Sequence, residues 1–218
     1  DLDVSTKSKI YADRTPLDYE FFGTACDPNS MPTNSLDGFK NAFKGPFSEF
    51  RRCVYGQDAS KHQLDFSLEF WRAYKDHPKF QTINLMDSHE FTGELAYYLD
   101  QHLPKFFETM LKEGLLKDSI VLVVSDHGNN SNLFFKGTAS GKIELANPFL
   151  MMLLSENNSA KYGTTLAKNQ QKLISAHDVN RVLNELIGVK KEYSGLNFML
   201  HEIDPLRTCG NAMIPPEF

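Results

Sequence analysis

The 218-residue chain is poor in cysteine, with only Cys26, Cys53 and Cys209, and no two of them are closely spaced. A zinc ribbon or a dithiol redox motif is thereby excluded, because both need thiols a few residues apart. Basic excess is absent too: 23 Lys and Arg stand against 28 Asp and Glu, a formal net charge of −5. A nucleic-acid reader clusters positive charge to neutralise phosphates, so no nucleic-acid partner is expected. Long apolar runs are missing. The longest, Ile120 to Val124 and Phe149 to Leu154, fall far short of the ~20 residues that cross a bilayer. No membrane span is therefore expected within this chain. There is no internal repeat, no low-complexity tract and no signal-peptide pattern. The first residue is Asp1 rather than Met, and the chain reads as a piece of a longer protein.

What is present is enough for a core, since 41% of residues are hydrophobic and 12% aromatic. Residues 1–60 are rich in turn formers, such as Asp27-Pro28-Asn29-Ser30 and Gly45-Pro46, with short helices expected around 39–43 and 47–55. Leu64, Leu68, Trp71 and Tyr74 recur at helical spacing, and Pro78 disfavours helix at His77, so a helix should end near Asp76. Phe80 to Met86 reads as a strand. A helix from about 94 to 112 places Leu95, Leu99, Leu103, Phe106 and Met110 on one face, with Gly114 placed to end it.

Ser119 to Val124 is β-branched and apolar on both faces, as a central parallel strand should be. Phe149 to Leu154 is a second buried run. A helix over about 176–187 opens on Ser175 and Asp178, spaced as a capping box. Strands alternating with helices predict an α/β fold with a parallel sheet. Three stretches are expected: a loop-rich opening (1–60) within the same domain, an α/β core (61–195) and a loop-rich tail (196–218).

Ligands of open α/β sheets bind beyond the carboxyl ends of the strands. The strongest strand runs straight into Ser125-Asp126-His127-Gly128. A carboxylate and a neutral imidazole side by side, on a turn that Gly128 leaves open, can both face a divalent cation. The same dipeptide also suits a capped turn with an exposed imidazole. His177-Asp178 invites comparison with HD-type phosphohydrolases, but the further His and Asp residues they need on other helices are lacking. His177 is expected to decorate a first helical turn. His62, His77, His102 and His201 read as surface residues. Asn129-Asn130-Ser131 and Asn157-Asn158-Ser159 are sequons that would accept glycans if the chain is secreted.

Gly114-Leu115, then Ser119-Ile120-Val121-Leu122-Val123-Val124-Ser125-Asp126-His127-Gly128, resembles the segment before the metal site in the alkaline phosphatase and sulfatase superfamily. More closely, the chain is similar to the sulfatase-like animal proteins of domain of unknown function 229. The matching pieces are Lys79-Phe80, Ser88-His89, Gly141-Lys142-Ile143-Glu144, Pro148-Phe149, Asn169-Gln170 and Arg207-Thr208-Cys209. The likeness runs from about Pro16 onward. It implies an alkaline-phosphatase-like domain, of which this chain is the C-terminal part, and cleavage or transfer of sulfate or phosphate esters.

In such enzymes a metal-held Ser, Thr or modified Cys attacks the ester, and the metal offsets charge on the oxygens. By position, the resemblance makes Asp126 and His127 ligands of a divalent ion, with calcium, zinc and manganese all open. It makes His89 the residue that contacts substrate or protonates the leaving group. Lys142 becomes a point charge for the ester anion, although a solvated surface lysine fits as well. The Asp-x-x-x-His spacing of the two-metal phosphatases is not met by Asp87-Ser88-His89. The nucleophile should lie well before the Asp-His segment, after a first strand. Cys26, in Ala25-Cys26-Asp27-Pro28, lacks the Cys-x-Pro-x-Arg pattern of sulfatases. The chain by itself is therefore expected to be inactive, and a non-catalytic secreted module of the same fold is the alternative.

The resemblance also places Cys209 in a cysteine-bearing tail, which leaves Cys26 and Cys53 to pair in the loop-rich opening, 27 positions apart (53 − 26). A bridge there would stabilise by about 3–4 kcal/mol in the chain-entropy picture. The expected setting is extracellular or secretory, with a membrane anchor outside this chain left open.

Overall fold

A computed structural model of the chain describes residues 53–54, 56–85, 87–88, 96–129, 136–189 and 192–215. The expected helix over 39–43 lies outside these residues. The chain divides into two compact units: residues 1–115 with 129–145, and residues 116–128 with 146–218.

In the first unit, β1 (Cys53–Val54) and β2 (Gln57–Asp58) form a small antiparallel hairpin. Gly56 makes its turn with φ at 80°, a conformation that a Cβ would penalise. Of the helix expected over 47–55 only residues 53–54 are described, and they form a strand instead, because the turn lets Cys53 pair with Asp58. Helix α1 (Ala59–Ala73) follows directly, and α2 (Ala96–Lys112) packs against it. Leu64 on α1 and Phe106 and Met110 on α2 are buried. Each such side chain gains roughly 1.5–3 kcal/mol on leaving water.

Two polar contacts fix the direction of the pair. Asp58, at the start of α1, meets His102 on α2 at 2.6 Å. Arg72, in the last turn of α1, donates to both oxygens of Glu113 just past α2, at 2.8 and 2.5 Å. Starts lie by starts and ends by ends, so the two helices run parallel. The Arg72 hydrogen bond holds the Glu113 carboxyl below its ordinary value. Helix α2 ends as expected: Gly114 has φ at 69°, and the Leu115 amide bonds back to the Met110 carbonyl at 2.9 Å.

Residues 78–85, on the way back from α1 toward α2, form neither helix nor strand. The strand expected over 80–86 is not formed at residues 80–85. Side-chain burial alternates there as in a strand, yet the neighbour is α1 rather than another strand, so no backbone ladder can form. The last residue of this unit's α3 is shared with the second: α3 (Ala139–Ala146) is a short helix with Gly141 buried.

In the second unit, β3 (Ile120–Val124) pairs with β4 (Leu150–Leu154), Ile120 opposite Leu154 and Val124 opposite Leu150. The pair is antiparallel. The parallel sheet expected from the sequence therefore has no counterpart among the described residues. The link over 125–149 brings the chain back beside the point where it left β3, so no crossover to the far end of the sheet is made. Helix α4 (Glu156–Asn169) packs on β4, and α5 (Ala176–Leu186) follows. Val182 of α5, Tyr162 of α4, and Phe198, Met199 and Ile203 of the tail form the core, with Ile120, Leu150 and Met152 packed against it. Loop-like in sequence, the tail supplies three of those five core side chains.

Candidate metal and ester site

Ser125 continues the β3–β4 ladder by one rung. Its amide donates to the Phe149 carbonyl at 3.0 Å, and its Oγ accepts from the Phe149 amide at 2.7 Å. The strand thus ends at a fixed point, and the next two residues turn out of it. Asp126 folds back so that its Oδ1 accepts from the His127 amide at 2.9 Å. Its side chain is 88% exposed, against 42% for His127.

The imidazole is oriented from behind. His127 Nδ1 lies 2.6 Å from the Gly128 carbonyl oxygen, which can only accept, so Nδ1 carries the proton. In the neutral ring Nε2 then presents its lone pair, 3.6 Å from Asp126 Oδ2. Two donors held by one ion at ~2.1 Å and tetrahedral angles lie about 3.4 Å apart. Asp126 and His127 therefore fit as two ligands of one cation, with the backbone support typical of a ligating histidine. They are two donors, not a full set: among the described residues no group of three or more His, Cys, Asp or Glu could hold a metal.

Lys142 is exposed on α3, in the unit that does not contain Asp126 and His127. His89 lies outside the described residues, and so does Cys26; the expected Cys26–Cys53 bridge is therefore not described. Cys53 stands in β1, and Cys209 carries an exposed free thiol. Asn129 is half-buried, while the rest of its sequon is outside the described residues. Asn157 is exposed in the first turn of α4, its Nδ2 donating to Asp118 at 3.0 Å. No described helix is long and apolar enough to cross a membrane.

Among the described residues a dense polar cluster surrounds Asp178, which the sequence singles out only as a capping residue. The Asp178 carboxylate is fully buried and accepts five hydrogen bonds. They come from the Ser175 amide (2.8 Å) and hydroxyl (3.3 Å), the Leu196 amide (2.7 Å) and both Arg207 Nη atoms (2.7 and 2.9 Å). Burial pushes its pKa up, but the Arg207 hydrogen bond and the two amides outweigh that, and it lies below the ordinary value. Nearby, Asn169 donates to the Phe198 and His201 carbonyls at 2.8 and 2.9 Å and accepts from the Ile203 amide at 2.9 Å. The Asp178 carboxylate has no lone pair to spare and both Nδ2 hydrogens of Asn169 are used, so these residues bind the tail rather than a ligand. The capping box at Ser175 and the Asn169-Gln170 and Arg207-Thr208 pieces were the available signals. His177 is exposed in the first turn of α5, as expected for a decorating residue. His102, read as a surface residue, is instead paired with Asp58 and only 16% exposed.

The chain is thus a mixed α/β protein with an oriented Asp-His donor pair at the end of an antiparallel ribbon. Over residues 44–218 it matches the family described as Protein of unknown function (DUF229), and it belongs to that family. No curated protein and no solved structure matches it.

Proposed function

We propose that the chain is part of a metal-dependent hydrolase or transferase of sulfate or phosphate esters, of the sulfatase-like kind within the alkaline phosphatase superfamily. The observation that carries the reading is the Asp126–His127 pair, with a carboxylate and an oriented Nε2 3.6 Å apart at a strand's carboxyl end. These two residues would hold a divalent ion, which would supply Lewis-acid stabilisation to an ester oxyanion. His89 is assigned to the leaving group and Lys142 to the ester anion. The nucleophile is assigned to no residue of this chain, and the remaining sheet of an alkaline-phosphatase-like fold to no described one. The setting proposed is secretory, with glycans at Asn129 and Asn157 and a Cys26–Cys53 bridge.

A specific observation favours a second reading. Asp126 is 88% exposed, as suits a secreted module that keeps the fold without the chemistry. Elemental analysis, ester assay and peptide mapping of the secreted full-length protein decide between them. The first reading requires about one divalent ion per chain, lost in Asp126→Ala together with cleavage of aryl sulfate or phosphate esters. Metal content that does not change in that variant would overturn it. Reduced Cys26 and Cys53 with no glycan at either sequon would overturn the secretory setting.

A further inference from the structure

The last rung of the β3–β4 ribbon is irregular. In an antiparallel ladder every second pair of residues exchanges two main-chain bonds, each amide donating to the other's carbonyl. At one end of the ribbon the Ser155 amide donates to the Ser119 carbonyl, and at the other the Ser125 amide donates to the Phe149 carbonyl. Steps of two from Ser119 reach Ser125, so the Phe149 amide should return to the Ser125 carbonyl. It goes instead to the Ser125 hydroxyl, at 2.7 Å. Among the described residues the Ser125 carbonyl accepts no hydrogen bond.

This exchange leaves the peptide that joins Ser125 to Asp126 outside the ladder, whose paired residues end at Val124 and Leu150. Asp126 can then fold back onto the His127 amide at 2.9 Å, with its Oδ2 3.6 Å from His127 Nε2. Without a hydroxyl at 125, the main-chain acceptor opposite the Phe149 amide is the residue-125 carbonyl. An amide so placed takes the acceptor at hand, because leaving it unpaired is costly. That bond would draw the 125–126 peptide into the ladder and carry Asp126 on along the strand. The imidazole has its own anchor, the Gly128 carbonyl at 2.6 Å from Nδ1. The two donors are thus held separately, the carboxylate through Ser125 and the imidazole through Gly128.

We propose that Ser125 is a positioning residue for the Asp126–His127 pair: its hydroxyl takes the rung that its own carbonyl would take and so ends β3 one residue before the donors. In this role Ser125 touches neither ion nor ester; it acts through Asp126. It also brings the second strand into the site, since its partner is the main chain of Phe149, just before β4. A serine that served pairing alone would leave the rung to its carbonyl. This role rests on the metal reading of the pair proposed above.

Three variants of the full-length protein test it. Ser125→Ala removes the hydroxyl, Ser125→Thr keeps it, and Ser125→Val has the shape of the threonine without it. Each protein, stripped of metal, is titrated with zinc, manganese and calcium chloride, and the ion that the wild type binds most tightly is followed. Ser125→Ala and Ser125→Val should bind it at least about tenfold more weakly, as when a residue that orients a ligand is lost. Ser125→Thr should bind like the wild type. Undiminished affinity in Ser125→Ala overturns the proposal, and so does a Ser125→Thr variant as weak as Ser125→Val.

Crystal structures of the metal-free wild type and Ser125→Ala read the geometry without any ion. In Ser125→Ala the Phe149 amide should move to the residue-125 carbonyl, and Asp126 should leave the His127 amide. An unmoved Asp126 overturns the positioning role. If the wild type binds none of the three ions, the metal reading fails, and these metal-free structures still decide what Ser125 does to Asp126. If Ser125→Ala does not fold, Ser125→Val against Ser125→Thr carries the same comparison.

Discussion

Arg207 and Asp178 meet as a parallel fork, Nη1 to Oδ2 at 2.7 Å and Nη2 to Oδ1 at 2.9 Å, with side chains 10% and 0% exposed. The guanidinium also donates to the Leu173 carbonyl at 2.9 Å. The two residues are 29 positions apart, and between them runs the tail segment that carries Phe198, Met199 and Ile203 into the core. The fork closes that loop over α5. It is why a stretch with no helix or strand of its own can supply core residues.

Arg207→Ala should cost about 3–5 kcal/mol, because it leaves Asp178 charged, buried and short of two donors. Arg207→Lys should cost less but still measurably, since an ammonium cannot fork. Urea unfolding of the full chain checks both. A loss under about 1 kcal/mol in Arg207→Ala would mean the tail is held by its apolar contacts alone.

The same pair sets a pH dependence. Asp178 has a folded-state pKa below its ordinary 3.8, so it contributes stability that is fully present above the ordinary value. That contribution is lost as pH falls through the lower, folded-state value. The stability gap between wild type and Asp178→Asn should be constant from neutral pH to about pH 5 and shrink below it. A gap that narrows already between pH 8 and pH 6 would point to another group.

The fold was legible where one element suffices to argue it. The strands at 120–124 and 150–154, the face Phe106 and Met110 on α2, and the capping box of α5 are all local patterns, and all are formed, although Val124, Phe149 and Met151 of the two apolar runs are exposed rather than buried. Helix α4 was missed. Asn157, Asn158, Gly163, Thr164 and Thr165 are poor helix formers, and only Ser155 as cap and the Tyr162, Leu166 and Asn169 spacing argue for it. What no local pattern carries is pairing. The antiparallel sense of β3 and β4 depends on where residues 125–149 lead, and the stretch over 80–85 looks like a strand until its neighbour proves to be a helix. The donor pair was legible because Asp126 and His127 are adjacent in sequence; Asp178 and Arg207, or Asp58 and His102, are not.

Gly195 offers the sharpest test of the tail's docking. A Cβ built there would stand 2.1 Å from the His177 carbonyl oxygen, 2.4 Å from its carbon and 2.7 Å from the Asp178 amide nitrogen. All three are backbone atoms at the start of α5, so no rotamer change relieves the overlap. Nor can Gly195 retreat easily. Its carbonyl accepts from Arg181 at 2.9 Å, and the next amide, Leu196, donates to Asp178 at 2.7 Å. Gly195→Ala should therefore cost about 3 kcal/mol or more, the upper range for overpacking, because a hydrogen-bonded segment must shift. Gly188→Ala is the control. That glycine has φ at 77° with nothing within 4 Å of a new Cβ, so only the left-handed backbone penalty of roughly 1–2 kcal/mol applies. Unfolding midpoints and limited proteolysis of residues 192–215 should rank Gly195→Ala well below Gly188→Ala. Equal losses in the two variants would show that the tail can shift off α5 at little cost, contrary to the close docking described.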